Sequence, residues 1–351
     1  MPFTKVKWVQ LPREIYGGHR VIEKIGEMCS RLGLRGIAGM VTGAKTYSVA
    51  GKTVEEILSE KYEVQNITVG QASKENLDKV ENFLKEIRAN FVVGVGGGSK
   101  IDLAKKASYD LGIPFISVPT TASHDGIASP RATIKNDDGI SLSLNAAMPV
   151  GIVADTSVIL TAPYRYLAAG VGDLVGNTTA IRDWELAHKL RNEDFSSSAY
   201  ELSKYAAQSV ISSVDYIKPG IEDSVWMVLK PLIVSGMAMS IAGTSRPASG
   251  SEHLFAHALE HLAPGKALHG ELVGLGTIMM MYLHGGDWRK IRSVLRKVGA
   301  PVTAKQIGVD EDLIIEALLM AHKVRDRYTI LGESGLTREA AEKLVRVTEV
   351  V

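Results

Sequence analysis

Short apolar runs alternate with stretches of helical spacing as far as Asp155, and beyond that point the alternation gives way to helix after helix. Residues 36–41 form an apolar run that ends at Thr42-Gly43, and residues 46–58 carry helical spacing. Residues 64–69 are strand-like, and 74–89 form an amphipathic, charge-rich helix. A third strand over 91–95 leads into a glycine loop, a helix over 99–111 and a strand over 114–119. Strands alternating with helices predict a parallel sheet covered on both faces. Asn136-Asp137-Asp138-Gly139 lies between the apolar runs 132–134 and 140–142, which predicts a hairpin laid over that sheet. Strand signals stop after residues 150–155, and from Pro163 onward the pattern is helical. The expected fold is an α/β N-terminal domain with a Rossmann-like parallel sheet, residues 1–160, followed by an all-α C-terminal domain, residues 161–351.

A chain of 351 residues with 45% hydrophobic composition can build two cores. Lys and Arg total 40 against 39 Asp and Glu, so neither nucleic acid nor an anionic membrane is an expected partner. The single cysteine, Cys29, excludes an internal disulfide framework and a cysteine-based zinc site, and it fits a reducing cytoplasm. Residues 1–5 lack the apolar run of a signal peptide, so cytoplasmic localisation is expected. Two apolar stretches read as buried helices and not as membrane spans. Residues 225–243 are interrupted by Lys230-Pro231, and 272–283 fall short of the roughly 20 residues a bilayer needs.

The glycine loop, Gly94-Val95-Gly96-Gly97-Gly98-Ser99, follows a strand directly, so its amides can approach a pyrophosphate and the next helix offers its positive end. Ser99 is placed to cap that helix, with Asp102 as its reciprocal partner. Glycines at such turns are also often purely structural, and Ser99 stands where a strict G-x-G-x-x-G would place its last glycine. Because the loop follows the third strand, adenosine is expected after the first, at Thr42-Gly43-Ala44-Lys45-Thr46. No acidic residue ends that strand to exclude a 2′-phosphate, so use of both NAD and NADP is expected.

Candidate metal chemistry lies in the second half. His253 and His257 are one helical turn apart, His269 follows in His269-Gly270-Glu271, and Asp173 lies upstream in Gly170-Val171-Gly172-Asp173. Asp173, His253 and His269 match the three ligands of a catalytic zinc site with one open position. Glu252, His253, His257, Glu260 and His261 fall within three turns of one helix, an arrangement too costly for a core without function. Glu260 and His261 fit best on an exposed face, while His188 and His284 read as hydrogen-bonded packing residues. A non-haem iron triad of two histidines and a carboxylate is the rival metal reading. Its ligands usually run His-x-Asp or His-x-Glu along a strand, whereas here the carboxylate precedes a helical histidine by 253 − 173 = 80 residues.

These residues together carry a resemblance. The runs Gly96-Gly97-Gly98-Ser99, Pro119-Thr120-Thr121-Ala122-Ser123-His124-Asp125-Gly126, Gly172-Asp173, Ser245-Arg246-Pro247-Ala248-Ser249-Gly250-Ser251-Glu252-His253 and Leu268-His269-Gly270-Glu271 resemble the sn-glycerol-1-phosphate dehydrogenase family. That family is the archaeal-lipid branch of a superfamily that includes glycerol dehydrogenase, iron-dependent alcohol dehydrogenases and dehydroquinate synthase. The resemblance extends from Leu11-Pro12-Arg13 to the last His-Gly-Glu, and the ligand spacing, 269 − 253 = 16, matches the superfamily. It implies the dehydroquinate synthase-like fold, a homo-oligomer and one zinc ion per subunit on Asp173, His253 and His269. It places NAD or NADP along Gly97, Gly98, Ser99, Lys100, Ile101 and Asp102 and along Thr120, Thr121, Ala122 and Ser123, with Ser129. Substrate would lie near Asp125, Asp173 and His257. Asp173 departs from the glutamate that dehydroquinate synthase uses as its first ligand.

The implied reaction is reversible reduction of dihydroxyacetone phosphate to sn-glycerol 1-phosphate, the glycerophosphate backbone of archaeal lipids. The sn-1 handedness rests on the resemblance alone. His257 is the candidate proton relay, or else a residue that only orients its neighbours. Asp125 is expected to bond a substrate hydroxyl, or simply to cap its turn. Arg246 is a candidate for the substrate phosphate, or else closes the domain interface through a carboxylate. The site should lie in the cleft between domains. A glycerol dehydrogenase acting on unphosphorylated polyol and a catalytically silent nucleotide-binding regulator are the alternatives.

Overall fold

The structure is a computed structural model that describes residues 8–351; the reading of residues 1–5 lies outside them. Its centre is a six-stranded parallel sheet built from β1 (Glu14–Gly18), β2 (Ile37–Thr42), β3 (Glu63–Thr68), β4 (Phe91–Gly96) and β5 (Phe115–Pro119). After an antiparallel hairpin, β6 (Arg131–Lys135) and β7 (Ser141–Asn145), the sheet is completed by β8 (Gly151–Asp155). The spatial order is β1-β8-β5-β4-β2-β3. Helices α1 (Ile25–Arg31), α2 (Ala44–Thr46), α3 (Lys52–Ser59), α4 (Lys74–Glu86) and α5 (Gly98–Leu111) lie between the strands, with a π-helical turn joining α2 to α3. The period of two in the strands decides which helix covers which face. Phe91, Val93 and Val95 pack with Met28, Val54 and Leu58 on one side, whereas Val92 and Phe115 pack with Leu77, Val80 and Ile101 on the other.

Three expectations change. β1 carries no apolar run, only Glu-Ile-Tyr-Gly-Gly, and is held as an edge strand by pairing Glu14 with Gly151, so periodicity gave no sign of it. The glycine loop therefore follows the fourth strand and not the third. Ser99 does not cap α5: the helix begins at Gly98 with extended Gly97 as N-cap, so Ser99 already lies in the first turn. Asp102 instead accepts from the Thr133 amide at 3.0 Å and pairs with Lys105 Nζ at 3.0 Å, which ties the hairpin to α5.

The order of the strands locates the opening for a ligand. From β2 the chain winds outward to β3, then crosses back and winds the other way through β4, β5 and β8. The turns after β2 and β4 therefore part at the reversal, where open α/β sheets leave a crevice.

Helices fill the rest: α6 (Thr156–Leu160), α7 (Tyr164–Arg191), α8 (Ser197–Ser213), α9 (Glu222–Ala242), α10 (Ser251–Leu262) and α11 (His269–Leu283), then α12 (Trp288–Lys297), α13 (Glu311–Met320) and α14 (Arg338–Val347). Among the described residues α9 alone is long and apolar enough to cross a membrane. It runs unbroken through Pro231, and 61% of that apolar window is buried in the fold. α7 and α11 touch backbone to backbone. A Cβ on Gly172 would lie 2.1 Å from the Gly270 carbonyl oxygen, and one on Gly270 would lie 2.0 Å from that of Ala169. Only glycine permits this approach, and it sets Asp173 beside His269.

Candidate active site

Three helices converge on one point. Asp173 comes from α7, His253 from the first turn of α10 and His269 from the first residue of α11. Asp173 Oδ1 lies 3.6 Å from His253 Nε2 and 3.9 Å from His269 Nε2, and one donor atom from each of the three residues lies within 4.8 Å of the others. Both imidazoles are fixed from behind: His253 Nδ1 meets Glu252 at 2.9 Å and His269 Nδ1 meets Glu260 at 2.8 Å. Carboxylates on Nδ1 leave each Nε2 lone pair facing the shared point, which is how metal-binding histidines are oriented. A donor set of two imidazoles and one carboxylate, with Asp173 and His253 buried and His269 partly open to the cleft, fits a divalent ion of zinc type. A second cluster, His257, Glu260 and His269, fits less well, because Glu260 is already engaged by both imidazoles and His257 Nε2 accepts from Arg325 at 2.9 Å.

The electrostatics follow from burial and pairing. Burial opposes the charge of Asp173, yet His253 and His269 hold its carboxyl below the usual range. Burial likewise opposes the imidazolium of His253, but Asp173 and Glu252 raise it to about 9. Burial and the neighbouring Asp173 charge push the Asp125 carboxyl up to about 7. Burial pulls His257 down to about 4, so its imidazole is neutral at physiological pH.

The loop after β5 closes the site from the sheet side. The Asp125 amide donates to Asp173 Oδ2 at 2.9 Å, and Ser235 donates to Asp125 Oδ2 at 2.8 Å. The turn is capped by His124, whose Nδ1 accepts from the Gly126 amide at 2.9 Å, so capping is not the role of Asp125. His124 also lies over the glycine loop, where a Cβ on Gly98 would fall 2.0 Å from its Nε2. Gly98, Ser99, Ser123, Asp125, Asp173 and His269 thus line one cleft of about 550 Å³.

The other predicted residues divide by position. Asp102, Ser129, His253 and His257 line the same cleft. Gly97, Thr121, Thr120 and Ala122 stand behind it, and Ile101 belongs to the core. Lys100 bends away, its Nζ donating to the Gly70 carbonyl at 2.7 Å. Thr42 and Gly43 sit apart from the cleft at the end of β2. The Thr42 hydroxyl is fully buried and donates to the Val95 carbonyl at 2.9 Å.

Two side-chain expectations are corrected, and a third residue, His257, is found held on both sides. Glu260 is not on an exposed face; it bridges His257 and His269, while its neighbour His261 is exposed. His257 is expected to relay protons, but both its nitrogens are occupied, by Glu260 at 2.9 Å and by Arg325. Arg246 does not reach the cleft. Its guanidinium is buried in a bidentate pair with Glu193, just beyond α7, and donates to the Tyr328 carbonyl at 2.8 Å, a contact within the helical half. His188 and His284 are hydrogen-bonded to the Glu193 carbonyl and Asp183 respectively, as packing residues. Glu271, quoted in the His-Gly-Glu run but given no role there, accepts from the Leu268 amide at 2.8 Å and from Arg165 at 2.5 Å and so fixes the start of α11 where His269 sits.

Comparison with known proteins places the chain. Over 350 residues it is 54% identical to glycerol-1-phosphate dehydrogenase (NAD(P)+) of Methanosarcina barkeri, with 99% of this chain and 98% of that one covered. The chain belongs to the glycerol-1-phosphate dehydrogenase family. The family member from Methanosphaera stadtmanae is 55% identical over 345 residues, covering 98% of each. Residues 17–163 also match the family described as iron-containing alcohol dehydrogenase. Among solved structures, glycerol dehydrogenase from Schizosaccharomyces pombe shares the fold at a TM-score of 0.80 and 20% identity, covering 99% of this chain and 91% of that one. The expectation of a parallel α/β sheet followed by helices in an alcohol dehydrogenase-type fold is therefore met.

Proposed function

We propose that this chain reduces dihydroxyacetone phosphate reversibly to sn-glycerol 1-phosphate with NADH or NADPH, supplying the backbone of archaeal membrane lipids. The observation that carries this reading is the convergence of Asp173, His253 and His269 in the same cleft that Gly98 and Ser99 line. Close relatives bearing the name glycerol-1-phosphate dehydrogenase (NAD(P)+) support it. When bound, a zinc ion on those three residues supplies Lewis-acid polarisation of the C2 carbonyl, and nicotinamide supplies the hydride.

The chain's own residues do the rest. Amides of the glycine loop and the N-terminus of α5 hold the cofactor pyrophosphate. Asp125 holds a substrate hydroxyl and passes the proton that the developing alkoxide requires. Its Oδ1 accepts no hydrogen bond among the described residues, and burial keeps its carboxyl near neutrality in its proton affinity. His257 is a positioning residue that fixes Glu260 and Arg325. We divide the chain into a nucleotide-binding unit, residues 1–160, and a metal- and substrate-binding unit, residues 161–351, and we propose a cytoplasmic homo-oligomer.

Reduction of dihydroxyacetone phosphate with each cofactor, followed by enantiomer analysis of the product, tests the reading. The sn-1 enantiomer and loss of turnover in chelator-treated enzyme, restored by zinc, are expected. Near-normal activity in the metal-stripped enzyme would end the metal assignment. Equal rates with free dihydroxyacetone would replace the reading with a glycerol dehydrogenase.

A further inference from the structure

Two guanidinium groups line the cleft without a carboxylate partner. Arg131 opens β6 on the sheet side, and Arg325 stands beyond α13 on the helical side. Among the described residues neither makes an ion pair with a carboxylate within 4.0 Å. Arg131 gives one N–H to Asn145 Oδ1, and its Nε is buried with no partner. Arg325 gives one N–H to His257 Nε2 at 2.9 Å and keeps the rest of its fork. Elsewhere in the helical half Arg165 is neutralised bidentately on Glu271 and Arg246 bidentately on Glu193, while Arg327, which has no carboxylate, gives both terminal nitrogens to the Ser249 carbonyl and the Ser245 hydroxyl. Leaving two cations unpaired in a half-buried cleft is costly unless a ligand supplies the opposite charge. Burial lowers the proton affinity of both, and the charge of Arg131 lowers that of Arg325 further, offset in part by the Glu260 carboxylate beyond His257, so the two groups share one electrostatic environment.

We propose that Arg131 and Arg325 form a receptor for a phosphate monoester dianion, which holds the terminal phosphate of the substrate across the cleft. The inference deepens the reductase reading and rests on it for the identity of the ligand. Planar forks from two sides suit a tetrahedral dianion, which a point-charge lysine would bind with less directional selectivity. His257 links the receptor to the metal-binding point, since it holds Arg325 and lies one turn from His253 on α10. A three-carbon phosphate bound there would present its carbonyl end to Asp173, His253 and His269. The same two groups could instead serve the cofactor pyrophosphate, which is also a phosphate anion.

Full-length, metal-loaded enzyme carrying Arg131→Met, Arg325→Met or the corresponding lysine substitutions tests this. Each methionine variant should raise KM for dihydroxyacetone phosphate about 30-fold and collapse its preference over dihydroxyacetone, with KM for NADH and NADPH little changed. The lysine variants should recover part of the loss while zinc content and circular dichroism stay at the wild-type level. Inorganic phosphate should raise the Tm of the wild type and of neither methionine variant. An intact preference in both methionine variants, or a rise confined to KM of the cofactors, would overturn the receptor and in the second case assign it to pyrophosphate. Wild-type enzyme inert toward dihydroxyacetone phosphate would sink the reductase reading alone, and phosphate protection lost in both variants would still uphold the receptor.

Discussion

The two walls of the cleft are built by opposite means. Where the glycine loop forms it, the sheet side is made of backbone: Gly98 opens α5 in the lining of the cleft, while nearby side chains such as Ile101 and Thr120 turn into the core. On the helical side it is made of side chains: Asp173, Glu252, His253, His257 and Glu260 are drawn into a largely dry interior and satisfied by one another. A backbone wall depends on shape, so it should fail when a small group is added. A side-chain wall depends on mutual charge, so it should fail when one member is removed. The same cleft can therefore be disabled from either side, with different residual properties.

His269→Ala takes a ligand from the charged wall and leaves Glu260 without the imidazole that holds its carboxyl well below the usual range. We expect zinc affinity to fall and turnover to drop by about 10³-fold or more. Cofactor binding, measured by nicotinamide fluorescence, should persist. If the variant retains wild-type zinc content, His269 is not a ligand.

Gly172→Ala attacks the contact that makes the charged wall possible. The new Cβ meets the Gly270 carbonyl oxygen, so α7 and α11 must part, at a cost of about 3 kcal/mol by analogy with overpacked cores. Both Tm and zinc content should fall together. A variant with normal metal content and a lower Tm would show that the helices separate without moving Asp173 away from His269.

How much of each wall could be read from the chain follows from the same contrast. Continuous apolar runs marked the strands that are buried on both faces, 91–95 above all, because burial alone dictates their composition. β1 escaped because an edge strand of Glu-Ile-Tyr-Gly-Gly is defined by its partner β8 and not by its own pattern. The ligand histidines stood out as costly residues in an apolar helix, whereas Glu260 looked like part of a solvated face until the fold brought His269 against it. Arg246 lay in the most distinctive run of the sequence and yet serves packing. Arg325 lay in no motif at all, since its importance comes from what it lacks, a carboxylate.

Arg246→Ala separates these last two. Truncating one partner of a buried pair costs about 3 kcal/mol, reduced to about 2 kcal/mol because the Glu193 side chain is 35% exposed. Chemical denaturation should show that loss, while the preference for phosphorylated substrate stays unchanged. A collapsed preference in a protein of wild-type stability would restore Arg246 to the site.

Gly98→Ala probes the backbone wall. The added methyl would press on His124 Nε2, and the imidazole can yield only by disturbing its bond to the Gly126 amide. Cofactor affinity should weaken about tenfold, equivalent to about 1.4 kcal/mol, with zinc content unaltered. Loss of metal with normal cofactor binding would contradict the division between the walls.

The smallest effect concerns the choice between NADH and NADPH. Discrimination against a 2′-phosphate usually comes from a carboxylate at a strand end beside the glycine loop. Here β2 ends in Thr42 and Gly43, and Thr42 is committed to the interior, where its hydroxyl meets Val95 and Thr46. Neither residue can repel a phosphate, so kcat/KM for the two cofactors should differ by less than about a hundredfold, or about 2.7 kcal/mol. The burial of Thr42 also changes what its mutation would report. Thr42→Asp would put a carboxylate against the Val95 carbonyl, so it should lower Tm before it alters specificity. A stable Thr42→Asp enzyme that rejects NADPH would show that the side chain turns outward when the cofactor binds, and would move the adenosine pocket to the mouth of β2.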